Sequence, residues 1–149
     1  MRRFAFVVGA ILLAACGDKP KTPPPPAAGG TMVNLADLAG EWTMQTMGTT
    51  SDSVLLTYTM QAKADTAGWT LTFGGRPPMP IHVMASGDSL TMDAAPYESM
   101  LRPGVQVSTH SVSRIVDGKL VGNTVAHYSN TPTADSVRML RTSGTRAPK

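Results

Sequence analysis

VLLTYTMQA, residues 54–62, alternates: Val54, Leu56, Tyr58, Met60 and Ala62 are apolar, while Thr57, Thr59 and Gln61 are polar. WTLTF, residues 69–73, repeats the pattern, with Trp69, Leu71 and Phe73 separated by two threonines. A period of two means a strand with one face buried and one solvated. Outward from these two stretches the texture persists as short runs rich in Val, Thr, Met and Trp, punctuated by Gly, Pro, Asp and Ser. The expected strands are 41–48, 53–62, 68–74, 80–86, 89–94, 105–116, 119–128 and 135–142. Two turns set registers. Asp117-Gly118 is a type I′ hairpin signal that pairs Ile115 with Leu120, Ser113 with Gly122 and His110 with Val125. Gly87-Asp88 pairs Ala85 with Leu90, Val83 with Met92 and His82 with Asp93. The fold class is therefore all-β: an eight-stranded up-and-down meander, which at that number can close into a barrel and remove its edges. A two-sheet β-sandwich is the alternative.

The other end of the chain carries an address. Met1-Arg2-Arg3 precedes an apolar run, Phe4–Leu13, and small residues then lead to Cys16, the single cysteine. This is the layout of a signal peptide. As a helix, 4–16 would rise only about 20 Å, short of a ~30 Å hydrocarbon core. Leu13-Ala14-Ala15-Cys16 resembles the bacterial lipobox. That resemblance implies cleavage before Cys16, a diacylglycerol on its thiol and an acylated amine; two or more chains anchor a protein stably. It also implies a periplasm-facing protein of the cell envelope. In enteric bacteria an Asp directly after the lipidated Cys retains a protein in the inner membrane; Gly17 stands there, which points to the outer membrane.

The domain organisation follows: 1–15 signal peptide, 16–30 lipidated Cys and Pro-rich tether, 31–149 β-barrel domain. Pro20 and Pro23–Pro26 favour extended polyproline II, so the tether lifts the domain some 30–40 Å. Asn34 is a good N-cap for a short N-terminal helix presenting Leu35 and Leu38, with Gly40 able to end it. The 13 basic against 10 acidic residues become 11 against 10 once Arg2 and Arg3 leave. No basic cluster remains to serve as a nucleic-acid footprint.

Gly40-Glu41-Trp42, after the short helix and at the start of the first strand, resembles the Gly-x-Trp signature of lipocalins and other calycins. The resemblance implies that Trp42 plugs the closed end of a barrel and that an arginine of the last strand stacks on it, a sensible cation–π pair. The last strand offers Arg138 and Arg141, with Arg146 just beyond. Arg141 is the expected partner, so the closure set reads Gly40, Trp42 and Arg141. Two tryptophans are too few for the biotin site of the avidins.

No nucleophile elbow, zinc-protease, P-loop or dinucleotide signature occurs, and most carboxylates fall at expected turns. The chain reads as a binding protein, not an enzyme, with no cofactor. The expected function is binding of a small hydrophobic ligand or a protein partner. Leu56, Tyr58, Met60, Leu71, Phe73, Val83 and Met92 would line the interior, with the loops 74–80 and 95–104 as a second surface. A structural or assembly role in the envelope is one alternative. Copper or zinc binding is the other. His110 and His127 are diagonal neighbours on adjacent strands, and His82 faces Asp93. Met60, with His82 and Met84 further on, resembles part of the motif of periplasmic copper(I) chaperones. That family's upstream His is missing here, and alternation puts Met60 on the buried face but His82 and Met84 on the polar one. Met as core filler fits the same residues.

Overall fold

The computed structural model describes residues 32–148. The expected signal peptide, lipidated Cys16 and Pro-rich tether lie outside the described residues. A single turn of helix, α1 (Leu35–Leu38), opens the domain; the Asn34 side chain accepts from the Ala36 N–H at 3.1 Å, as an N-cap should. Then come β1 (Gly40–Gly48), β2 (Val54–Ala62), β3 (Thr70–Phe73), β4 (Met79–Pro80) and β5 (His82–Ser86). After them follow β6 (Ser89–Glu98), β7 (Gln106–Val116), β8 (Lys119–Tyr128), a 3-10 turn (Thr133–Asp135) and β9 (Val137–Arg146).

All nine strands belong to one antiparallel sheet, in the order β4-β3-β2-β1-β9-β8-β7-β6-β5. Each hairpin pairs in sequence, and β1 joins β9. The result is a nearly closed barrel, not a two-sheet sandwich. β4 and β5 are one extended segment interrupted at Ile81. Pro80 has no N–H to give to a ladder, and the Ile81 N–H turns back to the Trp69 carbonyl at 3.0 Å. The segment's first half therefore pairs with β3 and its second half with β6. Eight expected strands become nine because one of them is broken.

Both hairpin registers are as read from their turns. Ile115 faces Leu120, Ser113 faces Gly122, and His110 faces Val125. Ala85 faces Leu90, Val83 faces Met92, and His82 faces Asp93. Asp117 and Gly118 both take positive φ (50° and 73°), the requirement of a type I′ turn.

Two strands differ from expectation by more than two residues at an end. β6 runs on to Glu98 through an irregularity between Ala94 and Tyr97, where Pro96 cannot pair but a bulge restores the ladder. β9 spans 137–146 instead of 135–142. The 3-10 turn occupies its expected start, and pairing with β1 carries its end past a Ser-Gly pair that sequence propensity reads as a stop.

Burial grades along the strands. In β2, Val54 is exposed, Leu56 and Tyr58 are half-buried, and Met60 and Ala62 are fully buried. Strands run from an open rim to a filled floor. The floor contains Leu38, Trp42, Met44, Trp69, Val83, Leu90 and Leu120; a smaller cluster of Val107, Ala126, Tyr128 and Leu140 lies towards the rim. Among the described residues no helix is long and apolar enough to cross a membrane.

Candidate functional site: the barrel interior and its mouth

The closed end explains the Gly-x-Trp stretch. Trp42 is 1% exposed, and its indole Nε1 donates to the Leu38 carbonyl at 2.8 Å, tying the strand to the end of α1. The Arg146 guanidinium lies over the indole, 4.8 Å from the ring centroid, and donates to the carbonyls of Ala39 and Asp37. Gly40 adopts φ +129°, and a Cβ there would stand 3.2 Å from the Arg146 guanidinium. One arginine thus caps the helix and covers the tryptophan, and glycine leaves it room.

This corrects the expected closure set. Gly40 and Trp42 are in place, but Arg141 is not their partner. In the β1–β9 register Trp42 faces Arg146, whereas Arg141 faces Met47 towards the opposite rim. Arg141 donates to the carbonyls of Gly48 and Ser51 and pairs with Asp52 at 2.7 Å, bracing the β1–β2 loop. Arg138, also near the rim, is exposed. Arg146→Ala is expected to cost about 1–3 kcal/mol through the lost stack and carbonyl bonds. Arg141→Ala, on a pair whose carboxylate is exposed, should cost under about 1 kcal/mol. Urea midpoints of the two variants check the assignment.

Above the floor lies a cavity of about 50 Å³. One wall is apolar: Leu56, Met60, Leu71, Phe73, Ile81 and Met92. Six of the seven expected lining residues are there: Leu56, Tyr58, Met60, Leu71, Phe73 and Met92. The seventh, Val83, is buried but packs into the core of the floor instead.

The facing wall is a ladder of hydroxyls that the sequence reading missed. Ser111 Oγ meets Thr124 Oγ1 at 2.8 Å, and Thr124 Oγ1 meets Thr142 Oγ1 at 2.7 Å. Thr46 stands opposite Thr142 in the next register. β7 inverts the usual pattern: Thr109, Ser111 and Ser113 point inward while Val112 is exposed on the outer face. The signal was present in the Asp117-Gly118 register. Residues directly opposite share a face, so the apolar Leu120 places Gly122 and Thr124, and with them Ser113 and Ser111, inside.

At the mouth Tyr58, Phe73 and Tyr97 form an aromatic arc, with ring centroids 5.1 and 5.3 Å apart along the series. Arg102 lies over the Tyr128 ring at 4.2 Å. Ser99 Oγ accepts from the N–H groups of Leu101 and Arg102 (3.1 and 3.0 Å), closing a turn that sets Met100 and Leu101 in the cavity lining. The loop around Arg76 joins the rim through an ion pair with Glu98 at 3.6 Å.

Burial pushes the Tyr58 phenol up to about 12, against a smaller opposing pull from its hydrogen bond with Thr46. Tyr97 is raised for the same reason, opposed by a hydrogen bond with Thr109. A raised phenol pKa means the folded state holds its proton more tightly than the unfolded chain does. Stability is therefore unaffected below the ordinary value of 10 and falls as the pH climbs towards 12. For Tyr58 alone the loss is about 2–3 kcal/mol. Denaturant midpoints across that window should fall steeply in the native chain and less steeply in Tyr58→Phe.

Among the described residues no group of three or more His, Cys, Asp or Glu side chains is gathered so as to hold a metal ion. Met60 is buried inside the barrel, whereas His82 and Met84 are exposed on its outer face, so these three do not converge. No protein-family model, curated protein or solved structure matches the chain.

Proposed function

We propose that this chain is a lipid-anchored protein of the cell envelope whose barrel takes up a small, largely apolar molecule with one polar group. Diacylglycerol on Cys16 holds it to the membrane, outer rather than inner. The tether of 16–30 carries the domain into the periplasm. The protein is a binder, not an enzyme. The observation that carries the reading is the two-sided interior, with side chains such as Leu56, Leu71 and Met92 across from the Ser111–Thr124–Thr142 hydroxyls. Burying the ligand's apolar part gains roughly 25 cal/mol per Å², and the hydroxyls satisfy its polar end, which would otherwise be costly to desolvate.

The cavity, at about 50 Å³, is far below the ~300–1,000 Å³ of ordinary ligand pockets. Uptake therefore requires Met100 and Leu101 to withdraw with their loop. A test titrates anilinonaphthalene sulfonate, apolar with one polar end, into the full chain carrying Cys16→Ser. Saturable binding at one equivalent is expected. It should tighten when Met100→Ala and Leu101→Ala remove the plug, and weaken about 2–10-fold in Thr124→Val. No saturable binding by any of these proteins sinks the ligand reading. Full membrane retention of Cys16→Ser in cells would sink the anchor separately.

A further inference from the structure

We propose that the outer wall of the barrel carries a surface site for a divalent transition-metal ion, Cu²⁺ above all, formed by His110 and His127 and oriented by Asp93. All three histidines of the chain (82, 110 and 127) are exposed on the outer face of neighbouring strands β5–β8. His110 Nδ1 lies 2.6 Å from Asp93 Oδ1. An ionised carboxylate only accepts, so the proton between them sits on Nδ1, and in the neutral ring the lone pair is left on Nε2. A carboxylate bound to the far nitrogen is how metal-ligating histidines are oriented and made more basic.

The second ligand comes from the adjacent strand. His110 faces Val125 and His127 faces Ser108, so the two histidines are diagonal neighbours on one face. Such pairs stand roughly 7–8 Å apart, within reach of long side chains. Two imidazole nitrogens at the usual ~2 Å from a metal can be brought together across that gap by rotating His127, while Asp93 keeps His110 in place. Both rings are exposed, so water fills the remaining positions. Two-imidazole sites follow the general preference for Cu²⁺ over Zn²⁺ and Ni²⁺. His82 faces Asp93 from the other side, but Asp93 is already engaged by His110. His82 is therefore the control, not a ligand. The site lies on the opposite side of the wall from the ligand cavity and does not depend on that reading.

The experiment adds substoichiometric Cu²⁺ to the isotope-labelled full chain carrying Cys16→Ser, which removes the thiol as a competitor. Paramagnetic broadening of amide signals is read out alongside calorimetric affinity. Broadening centred on the residues around 110 and 127 is expected. Affinity at this site should fall at least tenfold in His110→Ala and in His127→Ala, about tenfold in Asp93→Asn, and less than twofold in His82→Ala. All four positions are on the surface, and circular dichroism confirms that each variant is folded. Broadening centred on His82, or broadening only at the amino terminus, overturns the proposal. So does unchanged affinity in His127→Ala.

Discussion

Trp42→Ala is expected to lower the stability of the domain by about 3–5 kcal/mol, the usual range for deleting a buried large aromatic. Three losses coincide at this residue. The indole is 1% exposed in the floor, so a cavity opens between Leu38, Met44 and their neighbours. The Nε1 bond to the Leu38 carbonyl disappears, and with it the tie between β1 and α1. Arg146 loses the ring beneath it but keeps its carbonyl partners. Against a total of about 5–15 kcal/mol for a domain, that loss takes much of the margin. Trp42→Phe keeps most of the volume but not the donor, and should cost clearly less. Urea denaturation followed by far-UV circular dichroism measures both. A loss below about 1 kcal/mol for Trp42→Ala would mean that the floor does not close around it.

Gly122→Ala should be comparably damaging for a different reason. An added Cβ would stand 2.1 Å from the Val112 carbonyl oxygen, 2.5 Å from Ser113 Oγ and 2.6 Å from Ser113 Cα. Two of those three atoms are backbone of the paired strand, so relief means pulling β8 away from β7. Overpacking of this kind costs about 1–3 kcal/mol or more, and the upper end is expected because no side-chain rotation removes the clash. The φ of Gly122 is not positive, so the cost is steric and not conformational. Two other glycines give the scale. At Gly144 an added Cβ meets the Met44 sulfur at 2.4 Å, and a flexible thioether can move aside. At Gly48 nothing lies within 4 Å. Loss of stability should therefore rank Gly122→Ala first, Gly144→Ala second and Gly48→Ala last. Thermal midpoints of the three proteins check the order.

The missing partner of one buried hydroxyl marks the same corner. Ser113 Oγ is enclosed and unbonded among the described residues, directly across from Gly122. Glycine on one strand and serine on the other let the two backbones pass closely at this pair.

Local chemistry explains how much was legible beforehand. The alternation of 54–62 and 69–73 identified half-buried strands because side-chain direction in a strand is a property of the strand itself. Asp117-Gly118 set the pairing of β7 with β8 down to His110 and Val125, because a two-residue turn leaves the register no freedom. Six cavity residues, Leu56 to Met92 with Val83 excepted, were found by the same alternation. Arg146 was among the three candidate arginines but could not be chosen over Arg141, because its role depends on β1 meeting β9 across most of the chain's length. No turn between neighbours sets that register. The hydroxyl ladder was missed because Ser and Thr at alternating positions look like a solvated face, although the register with Leu120 puts Ser111 and Thr124 inside; Thr142 joins them only through the sheet's pairing with β9.

From the sequence by itself came the all-β class, the strand positions, the hairpin registers and the glycine–tryptophan start of the first strand. Each of these rests on forces acting between residues near one another along the chain. The choice of Arg146 over Arg141, the break at Ile81, the place of Thr142 in the hydroxyl ladder, and the narrowness of the cavity belong to the tertiary structure. They arise when distant strands close a ring, and closure decides which end of a strand becomes floor and which of its faces loses water.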